Sequence, residues 1–217
     1  MRNIVSLRVS VNLFDDLTDV RAEQEAGNRA DMRVRTHALP GVIHRGFAYS
    51  TAIGYPFQAD RLTQSRYSDG SFPVWYGALD ETTSIHETAW HALQQVRQNP
   101  DVCETVHRER AVWNVHARGI FIDLRGKLAE APALVAASYA WTQAIGKRLA
   151  ALHPGLVAPS ARRCDGACLA AFVEDVLSDP RLSHYLTYQI DPVGGTVRIE
   201  HSPGRQSRLL RERDLQV

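Results

Sequence analysis

The sequence predicts an α+β fold, a single domain of short, mainly antiparallel strands with flanking helices. Three observations predict it. Apolar runs of strand length are numerous and short, helical apolar spacing is sustained in only two segments, and strands and helices do not alternate as βαβ units. The 217 residues, 44% hydrophobic and 23% charged, suffice for a sizeable core. No internal repeat, low-complexity tract or Pro/Ser-rich linker divides the chain.

From the N-terminus, Ile4, Val5, Leu7, Val9 and Val11 alternate with polar residues as in a strand, and Asp15 to Arg35 is polar with helical character. Residues 1–38 read as an N-terminal extension and residues 39–217 as the domain proper. Leu39 to Thr51 reads as a strand carrying Arg45, and Gly54 to Gln64 as loop. Ser65 to Tyr67 leads into the turn sequence Ser68-Asp69-Gly70-Ser71, with Phe72 to Leu79 as the returning strand. A helix starts at Asp80 or Thr83 and runs to about Val96, with Ile85, Ala89, Ala92, Leu93 and Val96 on one face. Val102 to Val115 and Gly119 to Leu124 read as strands and Ala131 to Leu152 as the second helix. Short strands follow at Leu156–Pro159 and Ala167–Phe172, then a hairpin, Tyr185–Ile190 with Thr196–Ile199, turning at Pro192-Val193-Gly194-Gly195.

Charge excludes little by itself: 25 basic and 24 acidic residues leave a net +1, which argues for neither nucleic acid nor a membrane surface as partner. Arg205, Arg208, Arg211 and Arg213 are interspersed with Glu212 and Asp214, as in a solvated tail or partner-contacting face. The first residues lack the continuous apolar run of a signal peptide, no window reaches membrane-spanning length, and three cysteines are too few for a disulfide framework. A cytoplasmic location is the expectation.

The chemistry-bearing residues each admit a structural alternative. Arg45 and Arg66 sit on strand-like segments among apolar residues, where a guanidinium needs an anion, either an internal carboxylate or a bound phosphate. Tyr67 and Tyr76 flank the hairpin turn and serve either as core aromatics or as stacking partners for a ligand ring. Glu87 fits the fourth position of a Ser84-Ile85-His86-Glu87 capping box, or else places a carboxylate where it can hold a sugar hydroxyl and stabilise a cation. Ser160 is a ligand hydrogen-bonder or a turn-former, since no nucleophile elbow surrounds it. His86 and His91 lie at i and i+5, about 140° apart on a helix, so the zinc-protease pattern fails, and Cys164 and Cys168 form a lone C-x₃-C. No metal is expected, and no phosphate-binding glycine loop is present.

The ordered run Arg66-Tyr67-Ser68-Asp69-Gly70, Pro73 to Ala78 and Thr83 to Glu87 resembles the core of the RES-domain family. His44-Arg45 upstream, and Ile122-Asp123-Leu124, Tyr139, Thr142-Gln143 and Gly155 to Arg162 downstream, match its other landmarks in order, over roughly residues 40–175. The resemblance implies a toxin of a two-gene toxin–antitoxin system, similar in fold to ADP-ribosyltransferase toxins, that consumes NAD⁺ by cleaving its nicotinamide–ribose bond. NAD⁺ would be substrate, with no further cofactor, and the acceptor water, phosphate or a protein. The implied partner is a cognate Xre-type antitoxin with a helix-turn-helix region, with a homodimer possible inside the complex. By carry-over, Arg45 and Arg66 would hold the pyrophosphate and Tyr67 would line the pocket. Tyr76 would flank the nicotinamide ribose, Glu87 would stabilise the developing cation, and Ser160 would hydrogen-bond near it. Three departures stand out: residues 1–38 exceed the family core, Tyr67 replaces a frequent Trp or Phe, and the stretch between Glu87 and Ser160 is long. The rival expectations are a protein-modifying ADP-ribosyltransferase and a non-enzymatic member of a regulatory complex.

Overall fold

A computed structural model describes residues 1–6, 50–201 and 207–217. Within them, a mostly antiparallel sheet of nine strands carries two α-helices, an arrangement compatible with the α+β expectation. The strands are β1 (Arg2–Ser6), β4 (Trp75–Ala78), β5 (Val106–Ala117), β6 (Ile122–Asp123), β7 (Gly155–Pro159), β8 (Ala167–Ala171), β9 (Leu177–Asp191), β10 (Thr196–Glu200) and β11 (Ser207–Arg211). They run across the sheet in the order β11-β10-β9-β5-β1-β4-β8-β7-β6, and only β6 and β7 are parallel. A separate two-residue ribbon pairs β2 (Gln64–Ser65) with β3 (Ser68–Asp69). The helices are α1 (Glu81–Arg97) and α2 (Ala140–Ala150).

The N-terminal strand, inside the segment set apart from the sequence as an extension, lies mid-sheet: all five β1 residues pair with β5, and Arg2 also meets Ala78 of β4. The rest of the expected strand around Arg45, up to residue 49, lies outside the described residues. Thr51, expected at its end, instead lies in the π-turn Ser50–Gly54. α1 lays Ile85, Ala89, Ala92, Leu93 and Val96 against Leu186, Tyr188 and Ile190 of β9 and Val197 and Ile199 of β10, the largest core cluster. A second cluster is built around Trp75, Trp113 and Leu169. A third joins Tyr67 to Leu156, Ala158, Ala170 and Phe172.

Three expectations are corrected. Arg66 and Tyr67 are not on a strand; they are the two-residue turn between β2 and β3, because Ser65 pairs with Ser68. The chain then turns again at Gly70, whose φ of 91° is the left-handed conformation that glycine adopts without strain. The second helix begins at Ala140 rather than Ala131, because Pro132–Leu134 forms a 3₁₀ turn and the carbonyls of Leu134 and Ala136 accept from Arg66 instead of building a helix. The Tyr185–Ile190 strand extends back to Leu177, through Pro180, a positive φ of 51° at Asp179 and a bulge at Ser183. The C-terminal basic segment is an edge strand pinned by buried Leu210 and Leu215, with Arg97 Nη1 donating to Glu212 Oε1 at 2.9 Å.

Candidate active site

The cluster assembles where α1, the β7–β8 loop and the β2–β3 turn converge. α1 starts at Asp80, whose carboxylate accepts from the Thr83 N–H at 2.9 Å. Glu87 is therefore in the helix interior, and the capping-box alternative for Ser84 and Glu87 falls. Burial would raise the Asp80 pKa, but bonds from Thr83 and from Arg163 outweigh it and hold the carboxyl below its usual range. Thr83, Glu87 and Trp90 stand at i, i+4 and i+7, so they share one helical face beside the apolar one. All three meet the 160–166 loop: Arg163 donates to Thr83 Oγ1 at 2.9 Å and to Asp80 Oδ1 at 2.8 Å, Ser160 and Ala161 meet Glu87, and Arg162 meets Trp90.

Glu87 is held through one oxygen. Oε1 accepts from Ser160 Oγ at 2.6 Å and from the Ala161 N–H at 3.0 Å, with Cys168 Sγ at 3.9 Å. Among the described residues nothing donates to Oε2. Ser160, 2% exposed, also accepts from the Arg162 N–H at 3.0 Å, so its hydroxyl orders both the carboxylate and the loop. Burial pushes the Cys168 thiol well up, which makes it an inert neutral neighbour rather than a nucleophile.

Two arginines belong to the same cluster as this carboxylate. Arg66 Nη1 donates to Leu134 O at 3.1 Å and Ala136 O at 2.9 Å, and its guanidinium carbon lies 4.6 Å from the Tyr139 ring centre. Arg162, 9% exposed, stacks over Trp90 at 3.9 Å, and among the described residues its buried Nε has no hydrogen-bond partner. Burial lowers the Arg162 pKa, with Arg66 acting in the same direction and Glu87 and Tyr139 opposing it, so the two cations and the carboxylate share one field. Among the described residues no carboxylate forms an ion pair with either guanidinium. Among the described residues both positive charges are held by neutral groups, an arrangement that suits an anion.

The tyrosines divide the work. The Tyr76 hydroxyl shares a 2.8 Å hydrogen bond with Ser65 Oγ and accepts from the Tyr67 N–H at 3.0 Å, clamping both ends of the Arg66–Tyr67 turn. Burial pushes its pKa up to about 12. The Tyr67 ring is in the core, but among the described residues its buried hydroxyl has no partner, and burial raises its pKa strongly in a field that includes Arg66 and Glu87. An orphaned hydroxyl costs about 1–3 kcal/mol unless a ligand satisfies it. α2 backs the turn through Gly146, where a Cβ would collide with the Tyr67 carbonyl, and Gln143 Nε2 donates to Ser65 O at 3.0 Å.

Of the residues expected from sequence, Glu87, Ser160, Arg66 and Tyr67 come together, and Tyr76 adjoins them with its hydroxyl already engaged. Arg45 lies outside the described residues. Sequence reasoning missed Arg162 and Trp90 as site residues. The signal for Arg162 was its place directly after Ser160-Ala161 at the end of an apolar strand, where a guanidinium must be stacked or paired.

No curated protein matches the chain. A family model described as the RES domain matches residues 33–191, well over half the chain and all of the cluster just described. The chain therefore belongs to the RES-domain family, whose members are associated with NAD-utilising enzymatic activity.

Proposed function

We propose that this chain cleaves the nicotinamide–ribose bond of NAD⁺, as the toxin of a toxin–antitoxin pair. The observation that carries the reading is the Glu87 carboxylate, anchored through Oε1 by Ser160 and Ala161 in one field with two arginines that, among the described residues, have no carboxylate partner. NAD⁺ offers the complementary pattern, an anionic pyrophosphate some distance from a cationic glycosidic centre. Arg66 and Arg162 take the phosphates, and the Tyr67 hydroxyl gains the hydrogen bond it lacks.

The bond between ribose C1′ and the pyridinium nitrogen then breaks, and its electron pair leaves with nicotinamide as a neutral base. The positive charge passes to the ribose as an oxocarbenium ion beside Glu87 Oε2. Water adds at C1′ and loses a proton, giving ADP-ribose; phosphate in the same place gives a phosphorylated ADP-ribose. Fixed charge and orientation supply what this step needs, so no activated nucleophile on the protein is required. Regulation by a helix-turn-helix antitoxin covering the cleft belongs to the same reading and rests on family resemblance.

The test follows adenine-labelled NAD⁺ incubated with purified protein, with and without phosphate. Label in free ADP-ribose or its phosphate adduct supports the reading. Label fixed on protein replaces it with ADP-ribosyl transfer, and intact NAD⁺ in every condition overturns it.

A further inference from the structure

Away from the Glu87 cluster, three metal-ligating side chains meet beside an open cavity of about 560 Å³ lined by Glu109, Tyr185, Thr187, His184 and His201, among others. Glu81 is the first residue of α1, His184 lies on β9 and His201 directly follows β10. Their ligand atoms all lie within 4.8 Å of one another. We propose that Glu81, His184 and His201 bind one divalent transition-metal ion of the zinc class, which ties the start of α1 to the β9–β10 edge.

The local chemistry explains why an ion fits better than the side chains alone. His184 Nδ1 lies 3.0 Å from Ser183 Oγ, an oxygen that can take the ring N–H and so fix the tautomer with a free lone pair on Nε2. Nε2 then lies 3.1 Å from Glu81 Oε1, buried and, among the described residues, without a well-aligned hydrogen bond. In that tautomer two lone pairs face each other, an arrangement that a proton or an ion shared by both side chains relieves. A four-coordinate ion with ligands at about 2.0–2.1 Å separates its ligand atoms by roughly 3.4 Å, close to the Glu81–His184 spacing. His201 is exposed and stacks on His184 with ring centres 4.9 Å apart, so a modest swing brings its nitrogen into the same sphere.

The fold builds this arrangement. Register pairs Val112 with His184 and Trp113 with Leu182, so Ser183 is the bulged residue. Two-residue alternation along β9 puts His184 on the same face as Leu186 and Tyr188, toward α1, and the Ser183 hydroxyl lies 3.0 Å from the His184 ring nitrogen. A carboxylate and two imidazoles are a borderline-hard donor set, suited to Zn²⁺ or Co²⁺ rather than Ca²⁺. Glu109 stays outside the set because its carboxylate accepts from Thr187 Oγ1 at 3.0 Å.

The test uses the full-length chain without an affinity tag, stripped with chelator and titrated with Zn²⁺ by calorimetry and with Co²⁺ by visible absorption. One equivalent binds, with the intense absorption of four-coordinate Co²⁺, and Zn²⁺ raises the melting temperature. His201→Ala, at an exposed position that tolerates the change, weakens Zn²⁺ binding by more than about 10-fold and abolishes the melting shift, and Ser183→Ala weakens it about 10-fold. Paired Cys164→Ser and Cys168→Ser changes leave binding intact. No binding at micromolar Zn²⁺, binding that survives His184→Ala and His201→Ala together, or loss in the cysteine variants overturns the proposal.

Discussion

Ser160 separates a site that orients a carboxylate from a loop that merely turns. Its hydroxyl donates to Glu87 Oε1 at 2.6 Å and accepts from the Arg162 N–H at 3.0 Å, at 2% exposure. Ser160→Ala removes one hydrogen bond to a charged group, worth about 1.5–3 kcal/mol, and strands one buried N–H. Glu87 keeps the Ala161 N–H, so the carboxylate stays in place but with more freedom, and the losses are not additive. Stability falls by about 2–3 kcal/mol, read by urea unfolding. If the bond also aligns Glu87 in the transition state, about half of the 1.5–3 kcal/mol appears in the barrier, and kcat for NAD⁺ cleavage drops about 4- to 13-fold at 1.36 kcal/mol per decade. KM changes by less than about threefold, because the hydroxyl is spent within the protein. A variant that loses the stability but keeps kcat within twofold of the parent refutes the orienting role. A raised KM at unchanged kcat places Ser160 on the substrate instead.

Further outcomes follow from the same geometry. Arg162→Leu raises KM for NAD⁺ at least about 10-fold in steady-state assays; if Arg162 serves only to stack on Trp90, the change costs about 0.5–2 kcal/mol of stability and leaves KM alone. Gly146→Ala pushes the Tyr67 carbonyl and with it the Arg66 turn, lowering stability by about 1–3 kcal/mol and weakening NAD⁺ binding, both measurable by thermal unfolding with and without NAD⁺. The Tyr76 pKa is raised from 10.0 to about 12 by burial, so the folded state favours the neutral phenol. Its contribution is complete below pH 10 and is lost as pH rises toward 12. That amounts to about 2–3 kcal/mol, visible as a fall in the urea midpoint that Tyr76→Phe reduces.

Where local rules and tertiary contacts agreed, the sequence could be read directly. α1 announced itself through Asp80 and the Ile85–Val96 spacing, and β7 and β8 through short apolar runs. The Ser84–Glu87 ambiguity needed coordinates, because two overlapping cap signals lie within one turn and only Asp80 faces the free N–H groups. Arg66 reads as a strand residue in the sequence because its partners, the Leu134 and Ala136 carbonyls, are some seventy positions away. The same contacts explain the late start of α2. β9 was half hidden because Asp179, Pro180 and the Ser183 bulge break its alternation. Arg162 reads as one basic residue of a pair; its stacking on Trp90 and its nearness to Glu87 arise only when α1 and the β7–β8 loop dock.

The most direct test of the account is a time course of NAD⁺ concentration with purified protein beside Glu87→Gln, both checked for equal folding by circular dichroism. The glutamine carbonyl can still accept from Ser160 and Ala161, so the fold is kept while the negative charge is removed. The account predicts NAD⁺ loss by the parent and a rate lower by about 100-fold or more in the variant. Equal rates in the two, or no loss by the parent, contradict it.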